Sequence, residues 1–420
     1  MDLKKPRGTE DLFGAKAKEY IAISTIIRDV MSKYNFDEII TPVFESADLF
    51  KRGVGDLTDI VQKEMYEFLD RKGRSLALRP EGTAPVIRSV IENKLVQPEN
   101  LPLKLFYIGK YYRYERPQIG RNREFNQCGV EVFGKKSPEA DAEIITLAIT
   151  ILRSFGFKTN DLSIDLNYLI SGKEKLEYIS ELKKSLLLIS NLCDDCKNRI
   201  DTNILRVLDC KVDQDKLKSV PTMNDFMSQE DKDWLKVLVK LLNLIDIKTV
   251  LNPKLVRGLD YYTGMVFEIK STHKTLASQS TLCGGGRYDK LLKQLGGPDV
   301  SGLGFGMGIE RVLLDLDSMN IKLSPPKELD AYIIGLTPKA KQFSTMLLMM
   351  LRSDGLIADF DFQDRNIKSA FKQSEKLNAR NIIIIGDNEL KENVVVIKNQ
   401  QTKRETKVVY NEIVKTIRGK

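Results

Sequence analysis

The stretch that most restricts the fold is residues 112–134, YRYERPQIGRNREFNQCGVEVFG. Side chains two positions apart on a β-strand lie on the same face. After the loop, one face carries an aromatic ring and polar groups, from Phe125, Gln127, Gly129 and Glu131. The opposite face carries side chains suited to a core, from Cys128, Val130 and Val132. This alternation predicts an antiparallel hairpin with one polar wall and one buried wall.

Arginines surround the loop of this hairpin at four positions, Arg113, Arg116, Arg121 and Arg123. A cationic surface hairpin is the simplest explanation, because exposed loops tolerate charge readily. Two features favour a binding site instead. Arg113 and Glu115 share a face before the loop, and the polar wall after the loop combines an aromatic ring with hydrogen-bonding side chains.

A second constellation is residues 302–311, GLGFGMGIER. Its glycines alternate, so a strand here would have one face without side chains, formed by Gly302, Gly304, Gly306 and Gly308. Such a face lets a ligand lie against the backbone, although close packing of another element would need the same glycines. Arg311, at the start of the next helix, favours a ligand, since a guanidinium group can stack on a nucleobase.

Three shorter segments complete the candidate site. LRPEGTAP, residues 78–85, forms a strand-to-helix junction that carries Arg79, Glu81 and the predicted helix cap, Thr83. LVRGLDYYTG, residues 255–264, provides Arg257, Tyr261 and Tyr262. CGGGR, residues 283–287, is similar to a glycine-rich phosphate loop but lacks the Lys-Ser/Thr of a P-loop. Backbone geometry near a ligand is its favoured interpretation.

Histidine is almost absent from the chain. His273 is the only one, in a Lys/Ser/Thr-rich stretch that is typical of a surface. Any chemistry must therefore run without histidine bases, histidine-ligated metals or a Ser-His-Asp triad.

The cysteines are few, odd in number and scattered, at Cys128, Cys193, Cys196, Cys210 and Cys283. This distribution argues against a disulfide framework and for a reducing cytoplasm. Cys193 and Cys196 have the spacing of metal ligands, with Cys210 nearby, but no histidine lies close enough in sequence to complete a set of four. Buried or incidental thiols are therefore favoured, and no zinc is expected.

Changes of pattern divide the chain into five parts. Mixed helical and strand-like sequence fills residues 1–168, where DEIITPVFES reads as one strand. A Lys/Glu/Leu-rich, mostly helical insertion follows at 169–245, and strand-like, glycine-punctuated sequence returns at 246–320. A linker with adjacent prolines, 321–329, leads into a small alternating α/β domain at 330–420.

The formal net charge of +8 permits a polyanionic partner without requiring one. Residues 330–420 carry 16 Lys and Arg against 11 Asp and Glu, so +5 of the total lies in this last part. No apolar run approaches membrane-spanning length, and the start, MDLKKPRGTED, has no apolar signal core. We expect a cytoplasmic protein without a membrane partner.

Together these segments resemble the class II aminoacyl-tRNA synthetases, and among them the histidyl-tRNA synthetase family. FDEIITPVFES resembles class II motif 1, YRYERPQIGRNREFNQ motif 2, and GLGFGMGIERVLL motif 3. LVRGLDYYTG and CGGGRYD resemble the two segments specific to the histidine enzymes, and PRGTEDLF their N-terminus. The resemblance runs nearly end to end and is weakest in the helical insertion.

The resemblance implies an α+β fold, in which an antiparallel-sheet catalytic domain with a helical insertion precedes a C-terminal α/β anticodon-binding domain. It implies ATP-dependent, AMP-forming activation of histidine to histidyl-adenylate and pyrophosphate. The histidyl group would then pass to the 3′ end of tRNA(His). ATP with Mg²⁺, histidine, tRNA(His) and a homodimer are the implied substrates and assembly, with Pro42 near the dimer interface.

The resemblance also implies roles for individual residues. Catalysis would rest on Arg113 and Arg257. ATP would be bound by Arg113, Glu115, Arg121, Phe125 and Arg311. Histidine would be bound by Glu81, Thr83, Arg113, Gln127, Glu131, Arg257, Tyr261 and Tyr262. The tRNA acceptor end would meet Arg116 and Arg123.

The nearest alternative is the synthetase-like regulatory subunit of ATP phosphoribosyltransferase, which binds ligands without catalysing aminoacylation. That subunit generally lacks the C-terminal domain and the arginines. Here Arg113, Arg257, Arg311 and residues 330–420 are all present, which favours the enzyme. A non-catalytic RNA-binding or sensor protein with the same fold is disfavoured for the same reason.

Overall fold

The computed structural model describes residues 3–56, 58–273, 280–324, 328–363 and 365–419. It divides into two compact units, Met1–Ser324 and Pro325–Lys420. The strands of the first unit are β1 (Asp37–Glu38), β2 (Phe44–Ser46), β3 (Glu67–Leu69), β4 (Ser75–Leu78), β5 (Leu103–Tyr112), β6 (Glu124–Gly134), β7 (Leu162–Leu169), β8 (Val250–Leu251), β9 (Thr263–Ser271), β10 (Thr281–Arg287) and β11 (Ser301–Gly308). Its helices are α1 (Gly14–Lys33), α2 (Ala47–Val54), α3 (Thr83–Glu92), α4 (Pro138–Ser154), α5 (Gly172–Leu187), α6 (Asp194–Thr202), α7 (Gln229–Leu244), α8 (Leu291–Gln294) and α9 (Ile309–Ser318).

An eight-stranded sheet organises the first unit, in the order β1-β5-β6-β11-β10-β9-β7-β8. Its six central strands pair antiparallel, and only the short edge strands β1 and β8 pair parallel. The predicted hairpin is confirmed as β5 and β6, with Tyr111 opposite Phe125. A small sheet, β2-β4-β3, accompanies the large one, and β3 and β4 in it form a hairpin.

The two faces of the large sheet have different surroundings. Helices α1 and α4 bury the apolar face, which includes Cys128 and Val130 of β6 and Phe305 and Met307 of β11. The opposite face carries a cluster of tyrosines packed near α3, namely Tyr107, Tyr111, Tyr261, Tyr262 and Tyr288. The predicted buried wall of the hairpin is therefore confirmed, and the polar wall lies on the tyrosine-bearing face.

The prediction of one strand over DEIITPVFES is wrong. The segment forms two short strands, β1 and β2, that belong to different sheets. Between them, the buried Arg79 donates from Nη1 to the carbonyl oxygens of Thr41 at 2.8 Å and Pro42 at 3.3 Å. Proline lacks an N–H for a sheet ladder, and the guanidinium satisfies carbonyls that a continuous strand would pair. Arg79 therefore has a structural role here.

The CGGGR segment is similar to a phosphate loop in composition only. These residues form β10, a central strand between β9 and β11. Arg287 at its end is 1% exposed, and its Nε lies 2.6 Å from Asp141 Oδ1 at the start of α4. Trp234 Nε1 donates to the same carboxylate at 2.8 Å. This arginine closes a buried ion pair and does not face a phosphate site.

The insertion between β7 and β8 is mostly helical, as predicted. It contains α5, α6, α7 and short 3₁₀ turns, including Ile204–Asp209. Its apolar side chains, such as Tyr178, Leu182 and Leu238, belong to the same core as α1 and α4. The insertion is thus packed onto the large sheet through a shared core.

The second unit contains a five-stranded sheet in the order β13-β12-β14-β15-β16. Its elements are β12 (Leu329–Gly335), α10 (Pro338–Ser353), β13 (Ala358–Phe360), α11 (Ile367–Lys376), β14 (Ala379–Ile385), α12 (Asp387–Glu392), β15 (Val394–Asn399), β16 (Glu405–Val409) and α13 (Ile413–Arg418). The first three strands in this order pair parallel and the last two pairings are antiparallel. Among the described residues, no helix combines the length and apolar character needed to span a bilayer.

Candidate active site

One row of residues crosses five strands of the large sheet, in the order Glu268, Gly284, Gly306, Gly129 and Tyr107. The glycines leave space that side chains from elsewhere occupy. A Cβ on Gly284 would lie 2.5 Å from Nη2 of Arg257, and one on Gly306 would lie 1.8 Å from Nε2 of Gln127. These close approaches require glycine, because any larger residue would displace the functional side chain above it.

The two interpretations of the GLGFGMGIER glycines concern different ends of β11. A Cβ on Gly302 would lie 2.1 Å from the ring of Tyr288, and one on Gly304 would lie 2.5 Å from Oε2 of Glu131. Close packing therefore explains these two positions. Gly306 and Gly308, at the other end, line an open cavity. The ligand interpretation is thus restricted to the end of the strand next to α9.

That cavity has a volume of about 180 Å³ and lies over the ends of β6, β10 and β11. Its wall brings together four of the predicted arginines, Arg113, Arg121, Arg257 and Arg311. Phe125, Gln127 and Glu115 complete the predicted set that lines it. So many guanidinium groups around one small space create a strongly positive potential, which suits a polyanionic ligand.

Backbone carbonyls hold two of these arginines in place. Arg113 donates from Nε to the carbonyl oxygen of Pro80 at 2.8 Å, and its guanidinium carbon lies 5.3 Å from the centre of the Phe125 ring. Arg311 donates to the carbonyl oxygens of Gly120 at 3.1 Å and Thr281 at 3.0 Å. Burial and the neighbouring charge of Arg121 lower the pKa of Arg311. The site is therefore preorganised and electrically unbalanced in favour of anions.

Arg257 is held from the opposite side of the cavity. Its Nη1 pairs with the carboxylate of Glu268, and its side chain lies over Gly284. Burial opposes the charge, but Glu268 raises the pKa of Arg257, so the guanidinium stays charged. Its Nε is buried and has no acceptor within the described part of the chain. A buried N–H is costly to leave unpaired, so this atom is suited to a ligand oxygen.

A second group of polar side chains lies deeper, around Glu131. This carboxylate is 1% exposed and accepts hydrogen bonds from Thr83 Oγ1 at 2.8 Å, from Tyr107 at 3.0 Å and from Tyr288. Tyr261 in turn donates to Thr83 Oγ1 at 3.4 Å. Three hydroxyl donors fix the carboxylate but do not fill all its lone-pair directions. It can accept one further N–H donor.

Glu81, rather than Thr83, caps helix α3, so the predicted cap is wrong. The Glu81 carboxylate accepts from the backbone N–H groups of Thr83 and Ala84, both at 2.8 Å. Thr83 is the first residue of the helix, and its hydroxyl is used for Glu131 instead. Burial raises the pKa of Glu81, opposed by these backbone donors.

Glu131 gives the unfolding free energy a pH dependence that can be measured. Burial raises its pKa from the ordinary 4.5 to about 8, against the hydroxyl donors that lower it. Between these two values the folded chain holds a proton that the unfolded chain releases. Stability is therefore expected to fall as pH rises through this window, by up to about 1.4 kcal/mol per pH unit.

The variant Glu131→Gln is expected to show a smaller fall in stability over this window, because glutamine does not titrate while the buried Asp141, whose pKa is also raised, still does. Urea unfolding of both proteins at pH 5 and pH 8 measures the difference. Glu139→Gln, an exposed acid in the first turn of α4, is the control and should keep the slope of the parent protein. Parallel profiles for the parent protein and Glu131→Gln would contradict the assignment.

The other predicted residues occupy the loop and the rear of the site. Arg121 pairs with Glu115 at 3.2 Å. Arg116 is exposed. Arg123 stacks on Tyr114, with 3.9 Å between guanidinium carbon and ring centre, and donates to the carbonyl oxygen of Glu115. Of the loop arginines, Arg121 therefore lies on the cavity wall, Arg116 is exposed to solvent and Arg123 packs against the loop itself.

Tyr262 lies on another cavity, of about 280 Å³, which it shares with Arg257, Asp260 and Arg206 of the insertion. Its ring centre is 4.7 Å from that of Tyr261. The adjacent tyrosines are thus placed between the helical insertion and the Glu131 group.

Sequence reasoning missed three residues of the site, Tyr107, Glu268 and Tyr288. Tyr107 shares strand parity with Arg113, so its face was readable from the sequence. Tyr288 directly follows CGGGR and could have been included with it. Glu268 gave no such signal, because only the pairing of β9 with β10 brings it beside Gly284 and Arg257.

Two family models match the chain. The model described as histidyl-tRNA synthetase matches residues 8–312, and the model described as anticodon binding domain matches residues 330–420. The first covers the sheet, the insertion and every predicted site residue. The second covers nearly all of the second unit.

Curated relatives and a solved structure are similar over nearly the whole chain. The histidine–tRNA ligase of Mesoplasma florum is 46% identical over 417 residues, which is 99% of this chain and 90% of that relative. The histidine–tRNA ligase of Mycoplasma mycoides is 44% identical over 417 residues, 99% of this chain and 100% of that relative. The crystal structure of apo Staphylococcus aureus histidyl-tRNA synthetase superposes with a TM-score of 0.84 at 36% identity, covering 99% of this chain and 100% of that one.

Proposed function

Because the chain belongs to the histidyl-tRNA synthetase family, we propose how its side chains perform the two steps of that family's reaction. The activity is that of a histidine–tRNA ligase, a class II aminoacyl-tRNA synthetase that uses ATP, histidine and tRNA. Histidine is activated as histidyl-adenylate with release of pyrophosphate, and the histidyl group then passes to the 3′ end of tRNA(His). The alternative of a regulatory subunit is not favoured.

The observation that carries the proposed mechanism is the convergence of Arg113, Arg121, Arg257 and Arg311 on one cavity. The attacking group in the first step is a carboxylate, which is already ionised at neutral pH and needs no general base. The site must instead bring two anions into line and neutralise charge on phosphorus oxygens. Guanidinium groups suit this, since they stay charged and bind oxyanions in a bidentate manner.

At the nucleotide end, we assign the α-phosphate to Arg113 and Arg257. The buried Nε of Arg257, which lacks an acceptor among the described residues, supports this role. Arg121 and Arg311 would meet the distal phosphates or the adenine, and Phe125 would stack on the base. Because Arg113 already lies against Phe125, the proposed contacts to the α-phosphate and to the base would be made by neighbouring side chains.

ATP is proposed to enter as its Mg²⁺ complex, so that the ion is part of the substrate. Mg²⁺ prefers carboxylate oxygens together with phosphate oxygens. The carboxylates of Glu115 and Glu310 line the cavity and fit that preference. The ion would offset phosphate charge, which the arginines also do.

At the amino-acid end, Arg113 would hold the histidine carboxylate, while Glu81, Thr83 and Gln127 would surround the amino group. The imidazole N–H would be accepted by Glu131, with Tyr262 as its second partner and Tyr261 in support. Three hydroxyl groups orient the Glu131 carboxylate without saturating it, which supports this role. Amino acids without a matching N–H would leave the buried Glu131 side chain without this hydrogen bond, and the site would therefore select histidine.

The variant Glu131→Gln is therefore expected to bind histidine about 10–100-fold more weakly, because the buried imidazole N–H would lose its acceptor or face the glutamine amide N–H groups. Calorimetric titration with histidine measures it. Glu139→Gln is the matched control, expected to keep the affinity of the parent protein. Unchanged affinity in Glu131→Gln would reject the contact.

For the second step, we assign the tRNA acceptor end to the loop between β5 and β6, through Arg116 and Arg123. The basic residues 330–420 would hold the anticodon arm, since phosphate contacts dominate RNA affinity. We infer a cytoplasmic location, where tRNA and ATP are available.

We also infer a homodimer, formed around the motif 1 segment. Large apolar side chains are exposed there and on the neighbouring small sheet, with Ile40 85%, Phe44 54% and Leu69 69% exposed. A cluster of this kind on a protein surface usually marks an interface. Sedimentation equilibrium tests the inference, and a monomer at micromolar concentration would contradict it.

The proposed chemistry is tested by exchange of labelled pyrophosphate into ATP. We expect exchange that depends on histidine and Mg²⁺ and proceeds without tRNA, because activation precedes transfer. Omission of histidine is the control for contaminating ATPases. A pure protein that shows no exchange would support the regulatory alternative.

A further inference from the structure

Three cysteines and an aspartate meet at one point in the helical insertion. This point is separate from the cavity lined by Arg113, Arg121, Arg257 and Arg311, called the arginine cavity below. Cys193, Cys196, Cys210 and Asp213 each direct one potential ligand atom to this point, and all four atoms lie within 4.8 Å of one another. Cys196, Cys210 and Asp213 are buried, and Cys193 is partly so. We propose that this group, the Cys₃Asp cluster, is a structural zinc site.

The sulfur geometry fits a tetrahedral ion. Zn–S bonds are about 2.3 Å long, so two thiolates on a tetrahedral zinc lie about 3.8 Å apart. Cys193 Sγ and Cys210 Sγ lie 3.7 Å apart, and Cys210 Sγ lies 4.0 Å from Asp213 Oδ2. A disulfide would need about 2.05 Å between sulfurs, and both cysteines are free thiols.

Zinc displaces the thiol protons when it binds, and backbone N–H groups lie near the sulfurs to accommodate the resulting thiolates. Cys193 caps α6 and Cys196 lies in its first turn, where backbone N–H groups favour negative charge. The backbone N–H of Asp213 points at Cys210 Sγ, 3.4 Å away, which uses the sulfur as an acceptor.

Asp213 is the ligand that a search for cysteines and histidines overlooks. Its carboxylate is completely buried, and it accepts from the backbone N–H of Cys193 at 2.8 Å. Lys216 pairs with its other oxygen at 2.7 Å, which offsets the excess negative charge of three thiolates and a carboxylate on one Zn²⁺. In sequence the four ligands form two pairs of x₂ spacing, Cys193-x₂-Cys196 and Cys210-x₂-Asp213. Paired spacings of this kind are typical of zinc sites.

Soft thiolates in a tetrahedral set select zinc over Mg²⁺ or Ca²⁺, and four protein ligands leave no open position for catalysis. The ion would close the segment that holds α6 and the 3₁₀ turn Ile204–Asp209. That segment contacts the histidine-specific stretch, since Asn203 donates to Asp260 at 2.8 Å and Arg206 lies against Gly258. Zinc would thus brace the chain next to Arg257.

The zinc content of the full chain tests the proposal directly. The protein is purified without a histidine tag, dialysed against buffer without chelator, and measured by elemental mass spectrometry. We expect about one zinc per chain in the parent protein and close to none in Cys196→Ser. Cys128→Ala, a buried thiol outside the cluster, and Asp215→Asn, an exposed acid beside it, should keep the metal.

A second measurement does not depend on the folding of a variant. The parent protein, stripped with a chelator and titrated with Co²⁺, is expected to show thiolate charge-transfer absorption and the strong visible bands of tetrahedral cobalt. Substoichiometric zinc in the parent protein together with no such bands would overturn the proposal. Iron in place of zinc, or a Cys193–Cys210 disulfide in the freshly purified protein, would also overturn it.

Discussion

Replacing Arg257 with alanine is expected to slow histidine-dependent exchange of pyrophosphate into ATP by about 10²–10³-fold, the effect of removing one preorganised donor from a developing oxyanion. The structural reason is that Arg257 brings a buried N–H without an acceptor, among the described residues, to the wall of the arginine cavity. The loss should fall mainly on kcat, because the charge on the α-phosphate oxygens grows in the transition state.

Folding should change little in Arg257→Ala. Its partner Glu268 keeps the Thr281 hydroxyl at 3.1 Å and Lys270 at 3.6 Å, so the carboxylate is not left alone. Arg74→Ala, in the exposed turn before β4, removes a guanidinium paired with Asp70 and is the matched control. Equal exchange rates in Arg257→Ala and the parent protein would remove the role assigned to this residue.

Replacing Arg287 with methionine is expected to lower the free energy of unfolding by about 3–5 kcal/mol, the usual result of leaving one member of a buried ion pair uncompensated. Arg287 and Asp141 are both almost completely buried. Burial raises the pKa of Asp141 to about 7 even with Arg287 beside it, so the carboxylate depends on that cation at neutral pH. Arg287 also donates to the carbonyl oxygen of Ser137 at 2.8 Å and to Ser301 Oγ at 3.0 Å.

Two further variants separate charge from packing in this prediction. The double variant Arg287→Met with Asp141→Leu should recover much of the loss, because no charge remains buried. Arg153→Met, in the exposed last turn of α4, should change stability by less than about 0.5 kcal/mol. Denaturant unfolding measures all three. A loss in Arg287→Met no larger than that in Arg153→Met would show that the pair contributes nothing net.

Periodicity predicted which face each side chain of β6 occupies, and that prediction is confirmed by the burial of Cys128 and Val130 against α1 and α4. Sequence patterns predicted interruptions within strands and the ends of helices less accurately. DEIITPVFES has a strand-like composition, but its carbonyls are taken by the side chain of Arg79 from another part of the chain. Thr83 has the chemistry of a helix cap, yet its hydroxyl bonds to Glu131, and the Glu81 carboxylate accepts from the first backbone N–H groups of the helix.

The sequence pattern was likewise insufficient to identify the metal ligands. The spacing of Cys193 and Cys196 is visible in the sequence, but a set of three cysteines without histidine predicts no zinc site. The turn after Cys210 brings in Asp213, whose carboxylate belongs to no conventional cysteine–histidine pattern. Asp213 becomes a candidate ligand only because this turn brings its carboxylate beside the sulfur atoms.

By itself the sequence determined which kinds of side chain are available for the reaction. The single histidine lies in a surface-like stretch, which predicts chemistry without a histidine base, and the alternating arginine, glycine and aromatic residues predict strands with one face suited to a ligand. Only the tertiary structure decided which of these residues meet. The register of four strand pairs aligns Glu268, Gly284, Gly306, Gly129 and Tyr107 in one row. Three of these pairs join strands that follow one another in the chain, but the pairing of β6 with β11 joins two distant segments, and no local pattern encodes that contact.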